Sequence, residues 1–242
     1  MIILYGRRCL PTIFFGPRPH LFKRTRSVLL LKGFPGKADW IKGAIGEETT
    51  TNDIIPRAVE LEKKETLELM FPMTKDKEVL RKAREEAVDA ICGSLRSGKD
   101  IACINIGDPM FYSTFSYLIP LLRQRVPDVE IEIVPGISSV MASAAVTVTP
   151  LTEADERLAV IPATYESEKI RHILETFDTV VLMKVNRVFD KVLGLLEELD
   201  LKENAVFIER CGGENQRVVK NLDSLKGEKL DYLSMVIVKR GS

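Results

Sequence analysis

Histidine and cysteine are scarce in this chain: His20 and His172 are the only histidines among 242 residues, and Cys9, Cys92, Cys103 and Cys211 the only cysteines. The cysteines are scattered and form no C-x-x-C pair, which argues against a zinc ribbon and a disulfide framework. No metal site is expected, and a reducing cytoplasm is. An excess of one charge is missing too. Lys+Arg and Asp+Glu number 35 each, so no overall field points to nucleic acid or to an anionic membrane. Apolar runs such as SVLLL and LSMVIV fall far short of the roughly 20 residues of a membrane-spanning helix. The opening MIILYGRRCL puts its charges after its apolar residues, the reverse of a secretory signal. No G-x-G-x-x-G occurs, which leaves a dinucleotide-dependent oxidoreductase only a distant alternative.

What is present suits an α/β enzyme. With 45% hydrophobic and 29% charged residues, the chain is long enough for one large or two ordinary domains with real cores. No internal repeat or low-complexity linker interrupts it. TLELMF (Thr66 to Phe71) has strand character, and Pro72 with Thr74 closes it and offers an N-cap. Val79, Leu80, Ala83, Ala87, Ile91 and Leu95 recur at helical spacing with charged residues between them, and Gly98 is the expected stop. IACINI (Ile101 to Ile106) is apolar at five of six positions, the pattern of a buried parallel strand. EIEIV, RLAVI, TVVLM, AVFIE and SMVIV read as five further strands, with helices expected at SSVMASAAV, SEKIRHILETF and FDKVLGLLEEL. Pro120 predicts a bend in the helix after the Gly-Asp-Pro stretch unless that helix starts late, near Tyr117.

The segment from Asp100 to Ala163 carries most of the functional signal. A buried strand runs into GDPMFYSTFSYL, then EIEIVPGISS, then PLTEADERLAVIPA. In open α/β sheets ligands sit outside the carboxyl ends of strands, where the chain turns and backbone N–H groups are free to donate. Gly107 lets backbone come close, and Pro109 stops the strand. The hydroxyls of Ser113 and Thr114 can cap the next helix or bind a ligand carboxylate, and both readings stay open. An ordinary turn with an N-cap is the competing reading for so short a motif.

The motifs FPMT (Phe71 to Thr74), INIGDPMFYSTFSYL (Ile104 to Leu118), VPGISS (Val134 to Ser139), PLTEADERLAVIPA (Pro150 to Ala163), VVLMKVNR (Val180 to Arg187) and FIERCGGENQRVV (Phe207 to Val219) together resemble the tetrapyrrole methylase family of class III S-adenosylmethionine-dependent methyltransferases. YSTFSYL and DERLAVIPA look like the subgroup that methylates carbon 20 of precorrin-2, or of its cobalt-loaded equivalent, in cobalamin biosynthesis. The resemblance implies two α/β domains with a cofactor cleft between them. A division near Ser113 to Tyr117 is the natural choice, giving residues 1–114, of which 1–50 are atypical, and 115–242. It also implies a cytoplasmic homodimer that acts on a small-molecule tetrapyrrole and binds neither nucleic acid nor membrane.

The N-terminal stretch departs from the family. Members begin with a strand leading into a Gly-x-Gly-Pro-Gly-Asp loop, which forms part of the tetrapyrrole trough. Here Leu4-Tyr5-Gly6 suits the strand, but no such loop comes after it, and Gly16-Pro17 is the nearest echo. Five arginines lie between Arg7 and Arg26, and no Asp or Glu precedes Asp39. A shifted reading frame or equivalent replacement over residues 6–36 is the favoured explanation, tested by reading the coding DNA in the other frames. Genuine divergence is the alternative, and a member that lacks the loop can in principle bind cofactor without catalysing.

By resemblance, the cofactor-binding positions are Gly107, Asp108, Pro109, Met110, Tyr112, Ser113, Thr114, Ser138, Ser139, Ala163, Met183, Lys184, Cys211 and Gly212. Each has a bland competitor: Ser138 suffices as an N-cap, and a Met at a strand end is commonly packing. Glu153, Asp155 and Glu156 can act as base or hold pyrrole nitrogens, and Arg157, Lys184 and Arg187 can face substrate carboxylates. Solvated surface charge is the competing reading for all of them. The absence of a nucleophile triad fits methyl transfer, because the donor is already activated and the protein mainly aligns reactants and excludes water.

Overall fold

The structure, a computed structural model, describes residues 2–6, 27–33, 65–72, 74–105, 107–213 and 215–240. These divide into two compact units, one ending at Ser138 and the other beginning at Ser139. Both are α/β, as the alternation of strand and helix patterns predicts.

The first unit holds β1 (Ile2–Gly6), β2 (Ser27–Gly33), β3 (Glu65–Phe71), α1 (Lys77–Arg96), β4 (Ile101–Ile104), a 3₁₀ turn at Thr114–Tyr117, α2 (Ile119–Arg125) and β5 (Val129–Ile133). Its sheet has the order β3-β2-β4-β1-β5. β2 runs parallel to β3 and β4, whereas β1 is antiparallel to β4 and β5. The carboxyl ends of β4 and β5 therefore emerge on one edge, with Cys103 and Ile133 both beside Ile2. Gly6, at the other end of β1, pairs with Val129 at the start of β5. The carboxyl end of β1 thus lies at the opposite edge from those of β4 and β5, not where the expected strand into a ligand loop would end. β2 is the described N-terminal strand whose carboxyl end lies on the β4 side. The rest of the atypical stretch, residues 7–26 and 34–50, lies outside the described residues, and with it the site of the missing glycine-rich loop; residues 51–64 lie outside them too.

Helix α1 forms because its apolar residues fall on one face, and Ala87, Val88, Ile91, Cys92 and Leu95 are buried there. Fully burying a side chain of the Val/Leu/Ile class stabilises by about 1.5–3 kcal/mol, so this face outweighs any propensity effect. Its N-cap is Asp76, whose Oδ1 accepts from the N–H groups of Glu78 and Val79 at 2.9 and 3.2 Å. The expected cap, Thr74, works one step earlier by accepting from the N–H of Asp76. Gly98, with φ 77°, ends the helix as predicted.

The division expected near Ser113 to Tyr117 falls inside the first unit. Phe115, Leu118 and Leu122 are all 0% exposed and share a core with Val88 and Ile91. Residues up to the Pro-Gly loop are therefore needed to cover α1. Pro120 does not bend a helix, because α2 starts at Ile119 and the proline sits in its first turn, where the missing N–H costs nothing.

The second unit comprises α3 (Ser139–Thr147), β6 (Leu158–Pro162), α4 (Ser167–Thr176), β7 (Thr179–Met183), α5 (Phe189–Glu198), β8 (Ala205–Glu209), β9 (Arg217–Val219) and β10 (Ser234–Lys239). Its sheet order is β6-β7-β10-β8-β9. β6 and β7 are parallel, and β10 is antiparallel to β7 and β8. The sheet is buried on both faces: Val236 and Val238 of β10 enter the core under α4 and α5, and Met235 and Ile237 the one under α3. Such two-sided burial explains why these strands read as apolar runs without alternation.

Candidate functional site

Two loops meet at the carboxyl edge of the first sheet. After β4 the chain passes through Gly107, at φ 81°, into Asp108 and the buried Pro109. After β5 it passes through Val134 to Ser138. The Asp108 carboxylate joins them: Oδ1 accepts from the N–H of Met110 at 2.8 Å, and Oδ2 from the N–H of Gly136 at 2.9 Å. Gly136 is required by the same approach, since a Cβ there would stand 2.5 Å from the carbonyl oxygen of Gly107. Ser113 makes the capping contact that the sequence allows for. Its Oγ accepts from the N–H of Phe115 at 3.2 Å and from the Asn105 amide at 3.1 Å, closing the turn onto the strand end. Thr114 opens the 3₁₀ turn. Met110, Tyr112 and Ile137 are large apolar side chains left exposed on these loops, and Tyr112 takes a left-handed backbone at φ 53°.

The carboxyl edge of the second sheet is stitched by main-chain bonds. The N–H of Ala163 donates to the Met183 carbonyl at 2.7 Å, that of Lys184 to Ser234 at 2.8 Å, and that of Arg210 to Leu233 at 2.9 Å. The ends of β6, β7 and β8 are thereby fixed around the turn that opens β10. Lys184 and Arg210 are both left-handed, at φ 60° and 52°. Six non-glycine residues have positive φ among the described residues, and three of them, Tyr112, Lys184 and Arg210, lie in these loops. Such strain concentrates at binding sites. Met183 and Cys211 pack partly buried against the core under α3, and Ala163 is buried. The N–H of Gly212 is taken by Gln216 Oε1 at 2.8 Å.

A partly buried ion network holds the Cys211–Gly212 loop. Glu209 accepts from Arg217 Nε at 2.8 Å and from the N–H of Asp231 at 2.9 Å, and Arg210 Nε donates to Asp231 Oδ2 at 2.7 Å. Sequence reasoning missed Gly136, Asn105, Gln216 and the turn from Tyr232 to Ser234. Only the Pro-Gly pair before the serines offered a local signal, because the other partners meet through the fold.

The expected substrate residues are not all brought to the carboxyl edge. Glu153, Asp155, Glu156 and Arg157 precede β6, while Ala163 comes after it, so about 16 Å of strand separates them. Lys239 at the far end of β10 takes two of the charges, its Nζ lying 2.8 Å from Glu153 and 3.1 Å from Glu156. The hydrogen bond to Glu153 is the main reason the Lys239 ammonium is held above its usual range. The main-chain N–H of Arg157 donates to Asp178 and holds that carboxyl below its usual range, helped by the Arg157 side chain. The charges of Glu153, Glu156 and Arg157 are therefore paired within the unit. Arg187, in the turn after β7, stays on the carboxyl edge.

The profile of the Tetrapyrrole (Corrin/Porphyrin) Methylases matches residues 36–226. The chain belongs to the tetrapyrrole methylase family. The chain is 39% identical over 180 residues to the probable cobalt-precorrin-2 C(20)-methyltransferase of Methanocaldococcus jannaschii, covering 72% of each. It is 30% identical over 172 residues to the cobalt-precorrin-2 C(20)-methyltransferase of Salmonella typhimurium, covering 70% of this chain and 71% of that one. The uroporphyrin-III C-methyl transferase of Thermus thermophilus, solved in complex with S-adenyl homocysteine, superposes with a TM-score of 0.53 at 18% identity, covering 89% of this chain and 97% of that one. That likeness shows the tetrapyrrole methylase fold. Neither an inactive member nor an oxidoreductase is favoured by these similarities.

Proposed function

We propose that the protein transfers the methyl group of S-adenosylmethionine to carbon 20 of precorrin-2 or of its cobalt-loaded counterpart in cobalamin biosynthesis. The observation that carries this reading is the 39% identity to a probable C(20)-methyltransferase over 180 residues. The residues present suit the donor. Gly107 and Gly136 allow main chain to approach without a Cβ in the way, and Met110, Tyr112 and Ile137 offer apolar surface. We assign to the cofactor Gly107, Pro109, Met110, Tyr112 to Thr114 and Ser138 in the first unit, and Ser139, Ala163, Met183, Lys184, Cys211 and Gly212 in the second.

When bound, the sulfonium supplies an already activated methyl group. The work left to this chain is orientation and exclusion of water. The main-chain frame described above does the first, and the exposed apolar side chains of the loops the second. Arg187 and Lys184 are the cations we assign to substrate carboxylates.

We infer a cytoplasmic homodimer. α3 contains no charged residue and leaves Met141 and Val146 exposed, with Ile137 before it and Val148 after it. A helix apolar on its outer face is covered by something. Calorimetry with S-adenosylhomocysteine, then a methylation assay on precorrin-2 and cobalt-precorrin-2, tests the function. Binding with product methylated at carbon 20 is the expected result, and binding without product on either acceptor overturns it.

A further inference from the structure

The two loops on the carboxyl edge of the first sheet depend on one side chain. Every residue assigned to the cofactor from Met110 to Thr114 hangs on the loop that starts at Asp108, and Ser138 on the loop that holds Gly136. The two loops approach to main-chain contact, since a Cβ placed at Gly136 would stand 2.5 Å from the Gly107 oxygen. Such closeness needs an attraction to maintain it. The Asp108 carboxylate supplies it with two charge-assisted bonds, at 2.8 and 2.9 Å, one to each loop.

We propose that Asp108 is a positioning residue, which sets the spacing of the two cofactor loops through the N–H groups of Met110 and Gly136 instead of acting as a ligand itself. The identity of the ligand rests on the proposed function. Each carboxylate oxygen already accepts a main-chain N–H, and the geometry of Gly136 matches a clamp closed on bare backbone. Losing a hydrogen bond to a charged group weakens what it supports by about 10- to 100-fold, and a misplacement of about 1 Å carries a similar penalty for a bound reactant.

The experiment compares wild type, Asp108→Ala, Asp108→Asn, Gly136→Ala and the Asp108→Ala/Gly136→Ala double variant. Without ligand, amide exchange at Gly136 and Met110 is expected to speed up about tenfold or more in Asp108→Ala, with the amides of α1 unchanged. With S-adenosylhomocysteine, each alanine variant is expected to weaken Kd by about 10- to 50-fold, and the double variant little further, because both changes spoil one spacing. Asp108→Asn keeps one acceptor oxygen and falls between. In turnover, KM for the donor rises far more than kcat falls, the mark of lost uniform binding. Unchanged exchange at Gly136 in Asp108→Ala overturns the clamp, and so do effects that multiply in the double variant, which identify a direct ligand contact. If wild type does not bind the nucleoside, the proposed function fails while the exchange result still decides the clamp. If Gly136→Ala does not fold, the order of Asp108→Asn and Asp108→Ala in exchange and Kd decides instead, equal losses counting against the clamp.

Discussion

Helix α3 ends on a residue that its own backbone disfavours. The N–H of Thr149 donates to Ala144 and that of Val148 to Ala145, at 3.0 and 3.3 Å, the paired bonds of a Schellman ending. The residue at the left-handed position of that motif is usually glycine, yet here it is Val148, β-branched, at φ 53° and 86% exposed. A left-handed backbone costs an L-residue about 1–2 kcal/mol, and Val148→Gly removes that cost. Against this, glycine frees the unfolded chain by about 0.5–1 kcal/mol. At this exposure almost no burial is lost, so the net gain is about 0.5–1 kcal/mol, which raises Tm by about 1–4 °C. Scanning calorimetry at two protein concentrations measures it. At the lower concentration the variant melts above wild type. At the higher the advantage shrinks, because a dimer that covers Val148 loses its apolar contact. A variant that melts below wild type at the lower concentration refutes the strain argument.

Acid sensitivity has a local source in the second unit. Lys202 and Lys226 each approach Asp223 at 2.8 Å and hold its carboxyl down to about 2 from the usual 3.8. A depressed carboxylate pKa adds stability above its unfolded value, and that stability is lost as pH falls through the folded value. Asp223→Asn is therefore expected to flatten the loss of stability between about pH 4 and pH 2 relative to wild type, followed by circular dichroism. Identical curves for the two proteins would count against this assignment. Glu209→Ala strands Arg217 and the Asp231 N–H in a partly buried network and is expected to cost about 3 kcal/mol, read by urea unfolding. A loss under about 1 kcal/mol would show that the network relaxes without it.

Elements whose signal is local were legible in the sequence. The spacing of Ala87, Ile91 and Leu95 gave α1, Gly98 its end, and the apolar runs the strands of the second sheet. The residue types expected at a ligand loop do lie on the carboxyl edges. What escaped depends on partners far apart in the chain. Lys239 lies 86 positions from Glu153, so TEADE read as a set of available carboxylates when two of them are already paired. Asp108 looked like a ligand group because its partner Gly136 is 28 residues away. The unit boundary was misplaced because the burial of Phe115, Leu118 and Leu122 against α1 leaves no mark at the Gly-Asp-Pro loop itself. β9, with three residues, is too short for any periodicity to register.

The stitching of the second sheet's carboxyl edge has an evolutionary corollary. Ala163, Lys184 and Arg210 each contribute an amide hydrogen to neighbouring carbonyls, and none of these three seams uses a side-chain atom. The outline of that rim is thus indifferent to most replacements there, and the chemistry displayed on it can drift while the frame persists. Proline is the replacement such a seam refuses, since it brings no hydrogen to donate. Glycine, at the two left-handed members, would if anything relax it.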